Sequence, residues 1–352
     1  SWIDLLGTFG YEYQSTWTLN VILPVGISFY TFQTMSYSLD IYHGKLKPTK
    51  DFISFASFVS FFPQLVAGPI ERSTNLLPQM LAIKSFRYRQ AVEGLRLILW
   101  GIFKKVVIAD SLAWRVNYCF DNYNTLEGGT LFLGLMYFGI QLYCDFSGYS
   151  DAAIGTAKLF GVELMSNFNY PFFARNIAEF WRRWHISLTN WFKDYIYKPL
   201  ASKYNYSKVI VFFATLIVFT LTAQWHGFGI RFFIWGMGHF VFVILSRRIS
   251  PLCENNFSKY LLWSVSFFII NFLWLFFLYD LNNVFDIISQ LFNLSSFDIN
   301  NFPKKILTLV TIAFFASLLL DPEEIIKYPK VIKNEFENNK LVILPDTSKK
   351  LT

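Results

Sequence analysis

Charge is what this sequence has least of: only 16% of its 352 residues are Asp, Glu, Lys or Arg, against roughly a quarter in an ordinary soluble domain. The shortage excludes a water-soluble globule. Hydrophobic residues make up 54%, and 41 Phe, 19 Tyr and 11 Trp leave too little polar surface to cover so large a core. Lipid must be the solvent for much of the chain. Cysteine is scarce too: Cys119, Cys144 and Cys253 lie far apart with no Cys-x-x-Cys pair, so neither a disulfide framework nor a zinc site is indicated and all three read as core residues. There is no internal repeat, low-complexity tract or linker of soluble length. The chain therefore reads as one polytopic membrane domain, 1–320, followed by a charged, proline-containing cytoplasmic tail, 321–352. It opens at Ser1 without a basic segment and cleavage site, which points away from a signal peptide and towards an internal start with membrane helices before it.

What is present is a series of uncharged runs. A helix rising about 1.5 Å per residue needs about 20 residues to cross the hydrocarbon. Tyr13 to Leu39, Phe52 to Ile70, Gly128 to Cys144, Val209 to Ile230 and Tyr260 to Tyr279 qualify, while Phe232 to Ser246 and Ile306 to Leu320 are marginal. Leu95 to Ala109 is apolar but carries Arg96, Lys104 and Lys105, and reads as tilted or interfacial.

Lys and Arg near helix ends mark the cytoplasmic side. Arg175, Arg182, Arg183, Lys193, Lys198, Lys203 and Lys208 crowd one segment against Glu179 and Asp194, and Arg247, Arg248 and Lys259 follow the next apolar pair. Asp121 to Thr130 and Asp280 to Pro303 contain neither Lys nor Arg and read as external. Val209 to Ser246 is then a helical hairpin that leaves the cytoplasm, turns around His226, Gly227 and Gly229, and returns.

Four histidines are the first candidates for chemistry. His43, in a basic loop, and His239, in the returning arm, read as structural. His226 interrupts an uncharged run in Gln224-Trp225-His226-Gly227. It either caps the helix at an aromatic interface or is a functional group, the default for an ionisable residue inside a membrane segment. An imidazole in apolar surroundings stays neutral, the form a general base requires, and Gly227 and Gly229 would admit a substrate close to the backbone. His185 lies in Ile177 to Phe192, whose apolar positions 177, 180, 181, 184, 188, 191 and 192 follow helical spacing. It falls at the edge of that stripe. Glu179, Arg182, Arg183, Asn190 and Lys193 lie opposite, with Glu179 and Arg183 spaced for an i,i+4 pair. Such a basic interfacial helix suits either anionic lipid or a phosphate-bearing donor that Arg182 and Arg183 would grip bidentately. Lipid attraction is the plainer explanation. Asp145 and Asp151, in Cys144-Asp145-Phe146-Ser147-Gly148-Tyr149-Ser150-Asp151, could serve acid-base chemistry, but no metal-ligand set accompanies them. Helix capping explains Asp145 and Ser147 more simply.

Several blocks together resemble the bacterial membrane-bound O-acyltransferases, in particular their alginate and peptidoglycan O-acetyltransferase branch. They are Phe62-Pro63-Gln64-Leu65-Val66-Ala67-Gly68-Pro69-Ile70, the Asp145 to Asp151 block, Asn167-Phe168-Asn169-Tyr170-Pro171, Phe180-Trp181-Arg182-Arg183-Trp184-His185-Ile186-Ser187-Leu188 and Trp225-His226-Gly227. They occur in order between about Leu23 and Leu281, and the block around His185 is highly specific. Ala201-Ser202 and Gln224 depart from the Gly-Gly and Leu common in that family.

The resemblance implies an all-α polytopic fold with a thin core and interfacial or re-entrant helices, in a bacterial cytoplasmic (inner) membrane. It implies an acetyl transfer from a cytoplasmic thioester, acetyl-CoA, to an extracytoplasmic cell-envelope glycan, with no bound cofactor, no metal and no nucleic-acid partner. His226 matches the family's catalytic histidine and His185 its second histidine, and Arg182 and Arg183 fall at the donor entrance. An external serine esterase-like transferase is the implied protein partner. D-alanyl transfer to teichoic acids is the alternative within the family. A transporter of the acyl donor, or a scaffold that anchors the external partner, is the alternative outside it.

Overall fold

A computed structural model describes residues 26–252 and 255–292, together with Thr308 and Thr311. Among the described residues all regular structure is helical. The chain begins with α1 (Ile27–Tyr42), α2 (Phe52–Val59), a 3-10 turn at Phe62–Gln64 and α3 (Ser73–Leu81). Then come α4 (Tyr88–Ile102), which runs through a π-helical stretch, Phe103–Ala109, into α5 (Asp110–Asp121), and the 32-residue α6 (Gly128–Leu159). Two short helices, α7 (Ile177–Arg183) and α8 (Ile186–Phe192), lead through a second π-helical stretch into α9 (Lys198–Lys203). The chain then forms α10 (Lys208–His226), α11 (Ile230–Ile249), α12 (Asn256–Leu278) and α13 (Leu281–Leu291).

Among the described residues, three helical segments are long and apolar enough to cross a membrane: Lys208–His226, Ile230–Leu252 and Asn256–Leu278. They are α10, α11 with its short extension, and α12. The expected hairpin is therefore present, and its marginal returning arm is lengthened to a full span. Lys208, Arg247, Arg248 and Lys259 share one end of the hairpin and α12. The opposite end carries the His226 turn and Asp280, which lies 3.6 Å from Arg231. The run Gly128 to Cys144 is the first half of α6, which at about 48 Å is longer than the hydrocarbon is thick. Only 26–39 of the first apolar run is described. Most of Ile306 to Leu320, Cys253 and the 321–352 tail lie outside the described residues. Cys119 and Cys144 are buried, as expected.

Packing of α4 against α6 explains the charges in the Leu95 to Ala109 run. Gly94 faces Gly155 and Gly101 faces Gly148 so closely that a Cβ on any of the four would strike the opposing backbone. Such small residues let two helix backbones touch within a membrane. The contact leaves Lys104 5% exposed, with its ammonium 2.6 Å from Asp151 and donating to Ser147 Oγ at 3.0 Å. Lys105 meets Asp145 at 2.6 Å. The Asp145 to Asp151 block is thus structural, though not through capping: it lies inside α6 and neutralises two lysines.

Two expected helices are broken. Phe52 to Ile70 is not a membrane span: α2 stops after eight residues, and Pro63, which lacks an N–H and disfavours helix at Phe62, turns the chain through a 3-10 segment. The helix expected over Ile177 to Phe192 divides at Trp184 and His185, where His185 takes a left-handed backbone with φ 44°. Its neighbours hold that turn. Asn169 N–H donates to Arg183 O and Ile186 N–H to Asn167 O, both at 2.9 Å.

Candidate active site

The turn at His185 is the meeting point of four of the sequence blocks. Asn167 Oδ1 accepts the Ser187 hydroxyl at 2.9 Å and the Ser187 N–H at 3.4 Å, while its Nδ2 donates to Ser150 Oγ at 3.2 Å. Ser187 Oγ in turn accepts Ile70 N–H at 2.9 Å, and Ser150 donates to Ala67 O at 3.2 Å. In the irregular 62–70 segment Pro63, Gln64 and 68–70 are buried while Phe62 and Val66 are exposed, and these two bonds tie its inner end to the His185 turn. His185 Nδ1 lies 3.0 Å from the same Asn167 oxygen. That oxygen only accepts, so the hydrogen sits on Nδ1 and a neutral ring presents its lone pair at Nε2. His185 Nε2 is buried and has no hydrogen-bond partner among the described residues.

His226 ends α10. Gly227 follows because a Cβ there would collide with the Phe232 ring. The half-buried imidazole is edged by Trp225, Trp235 and Phe277, with ring centres 4.6, 5.2 and 4.9 Å away. Trp225 also stands 6.0 Å from His185, so the two histidines flank one indole. His239 is one turn beyond Trp235 on α11 and fully buried; its Nδ1 accepts the Trp181 indole N–H at 3.3 Å.

A cavity of about 540 Å³ opens between α7 and α8 on one side and α10 and α11 on the other. Leu188, Val218, Phe219, Val243 and the Trp181 indole form its apolar walls, and the exposed side chains of Arg182, Lys193 and Arg247 stand around it at the basic end of the hairpin. A recess of about 230 Å³ shares Asn176, Arg182 and Ser250 with it and adds Arg175 and Lys259. Neither His185 nor His226 is part of the cavity wall. Its inner residues nevertheless lie one helical turn from each, Thr222 below His226 on α10 and Thr189 after His185 on α8.

Of the two predicted arginines only Arg182 lines this space. Arg183 bonds Glu179 at 2.6 Å, the predicted i,i+4 pair, and Glu179 also accepts from Arg175. Sequence reasoning quoted Asn167 within a family block but gave it no role, and read Lys193 and Arg247 only as topology-setting or surface charges. Their common feature is contact across long chain separations, which periodicity does not report. Among the described residues no three of His, Cys, Asp and Glu gather as metal ligands would.

A helical membrane core with paired histidines above a cation-rimmed apolar cavity defines the class of protein, and sequence comparison gives its family. The chain belongs to the membrane-bound O-acyltransferase family, whose sequence model matches residues 48–289. It is 37% identical over 258 residues to the protein named probable alginate O-acetylase of Pseudomonas aeruginosa, covering 73% of this chain and 49% of that one. It is 36% identical over 315 residues to the peptidoglycan O-acetyltransferase of Helicobacter pylori, covering 78% and 60%. The teichoic acid D-alanyltransferase of Bacillus subtilis is 29% identical over 256 residues, covering 68% and 61%. The chain thus spans about half the length of the alginate relatives and three fifths of the other two.

Proposed function

We propose that this chain carries the transfer centre of an acyltransferase that moves acetyl from a cytoplasmic thioester, acetyl-CoA, to a hydroxyl of a cell-envelope glycan outside the bacterial cytoplasmic membrane. The observation that carries this reading is the cavity: cationic at its mouth, apolar along its walls, and ending one helical turn from both histidines. A volume of about 540 Å³ lies within the roughly 300–1,000 Å³ of small-molecule sites. Its chemistry suits a donor with a phosphorylated head and a slender acyl-bearing arm. Arg182, Lys193 and Arg247 hold the head, and the arm threads past Trp181.

His226 is the general base that takes the acceptor hydroxyl's proton as the oxygen attacks the acyl carbonyl. His185, fixed by Asn167 with its lone pair at Nε2, assists that proton transfer or orients the acyl group. Arg183 acts indirectly, by holding Glu179 under the mouth. An external serine esterase-like transferase completes delivery to the sugar.

The test measures ester-linked groups released by mild base from peptidoglycan and from secreted polysaccharide, in cells with the intact gene, a deletion and His226→Ala at matched membrane levels. Acetate lost from one fraction in both altered strains identifies the acceptor and the need for His226. A loss of about 100-fold or more is expected for a missing general base. Loss of D-alanine instead of acetate would transfer the reading to teichoic acids, and loss in the deletion alone would make the chain a scaffold.

A further inference from the structure

Between the cavity and His226 lies a third histidine that the scheme above leaves idle. Trp181 donates its indole N–H to His239 Nδ1. An indole nitrogen can only donate, so Nδ1 is an acceptor and the hydrogen of the neutral ring sits on Nε2, the opposite tautomer to His185. That buried Nε2–H has no acceptor among the described residues, and neither have the buried indole N–H groups of Trp235 and Trp274. The three rings are neighbours, with centres 5.1 Å (His239 to Trp235), 6.1 Å (His239 to Trp274) and 5.7 Å (Trp235 to Trp274) apart. An unmet buried donor costs about 1–3 kcal/mol. Three such donors close together, none with an acceptor among the described residues, make an environment suited to an oxygen that only accepts.

Their position makes this specific. Trp181 forms part of the cavity wall and holds His239, and Trp235 touches His239 on one side and His226 on the other, at 5.1 and 5.2 Å. Ring contacts from Trp181 through His239 and Trp235 thus run from the cavity wall to His226.

We infer that His239 is a catalytic residue whose Nε2–H, with the indole N–H of Trp235, binds the acyl carbonyl oxygen of the thioester and holds its charge during transfer. This rests on the acyl-transfer reading. The acceptor oxygen forms its bond to the carbonyl carbon as its proton passes to His226, and the carbonyl electron pair moves onto the oxygen held by His239. Collapse restores the double bond and breaks the carbon–sulfur bond, and the departing thiolate takes the proton from His226. His239 keeps its own proton throughout. Its tautomer, set by Trp181, makes it a fixed donor, and donors aimed at developing negative charge lower the barrier most where water is excluded.

The experiment compares His239→Leu, His239→Asn and His239→Gln in the full chain. Asn can still accept the Trp181 N–H but does not reach the Nε2 position; Gln places an amide N–H there. Envelope acetylation at matched protein level is expected to fall about 100-fold in Leu and Asn and to recover in Gln. The direct readout is the infrared band of [1-13C]acetyl-CoA bound to protein carrying His226→Ala, so that the thioester persists. The carbonyl band is expected at lower wavenumber with His239 present than with Leu. Equal rescue by Asn and Gln would mean that His239 serves only Trp181, and overturns the inference. So would a bound carbonyl band that does not respond to His239→Leu. If no acetyl-CoA band appears even with His239 in place, the acyl-transfer reading fails and this inference falls with it.

Discussion

Glu71 shows how a single buried carboxyl at the edge of the site shapes stability. It is 0% exposed and accepts the Met165 N–H and the Asn75 amide, tying the 62–70 loop to the chain after α6. Burial is the largest influence and pushes its pKa above the ordinary 4.5, with those hydrogen bonds opposing. A carboxyl raised in the folded state favours folding while it is protonated. Its contribution is full below about 4.5 and is lost as pH rises through the raised value. Glu71→Gln keeps an acceptor for Met165 and removes the titration, so the melting temperature of the parent in detergent should fall relative to the variant as pH rises. Parallel curves would count against it. At this scale legibility followed solvation. His226 stood out in the sequence because an ionisable residue in an uncharged run is conspicuous. Asn167 did not, since a neutral amide in a loop looks alike whether it binds water or clamps an imidazole 18 residues later. His239 read as structural from its place in the returning arm, and the bond from Trp181, 58 residues away, that fixes its tautomer is invisible to any local pattern.

Among the elements, the α4–α6 pairing was not read from the sequence, where the run from Leu95 to Ala109 looked tilted or interfacial. Glycines seven apart on each helix, Gly94 with Gly101 and Gly148 with Gly155, recur every two turns and mark a close antiparallel seam. Lys104 and Lys105, which made the run look interfacial, find their carboxylates only once that seam forms. Gly101→Leu should therefore cost about 1–3 kcal/mol or more by overpacking and prise Lys104 from Asp151. The check is thermal unfolding in detergent beside Leu99→Ala, at an exposed position on the same helix, which should change little. Equal stability would show that the seam yields. The break at His185 was not readable. Apolar spacing continues from α7 into α8 as though one helix ran through, because both halves bury the same stripe. A left-handed residue other than glycine costs roughly 1–2 kcal/mol, and bonds from Asn167 and Asn169, on a separate loop, help to hold it. What the local pattern misses is also what turns His185 towards its partner.

At the scale of the whole molecule, the segregation of charge was legible and its use was not. Counting Lys and Arg placed Arg182, Arg183, Lys193 and Arg247 on one side of the membrane, but only the packing of α7 and α8 against the hairpin sorts them. Arg182, Lys193 and Arg247 border the cavity, while Arg183 is bound to Glu179. The two groups should fail differently. If the donor's phosphates sit at the mouth, replacing Arg182 and Arg247 together with Gln removes charge-assisted contacts worth about 1.5–3 kcal/mol each when well formed. Solvent at the exposed mouth reduces that, so the donor concentration for half-maximal transfer should rise about tenfold, with little change in the maximal rate. Arg183→Gln leaves Glu179, next to the mouth, to Arg175 alone. It should lower thermal stability and leave donor dependence near that of the parent. Titrating acetyl-CoA against membranes carrying each variant separates the two. A donor dependence shifted by Arg183→Gln as strongly as by the Arg182 and Arg247 pair would mean that the mouth acts as a diffuse positive field in which the exact partners are interchangeable. An unmoved dependence in the pair would place the donor elsewhere.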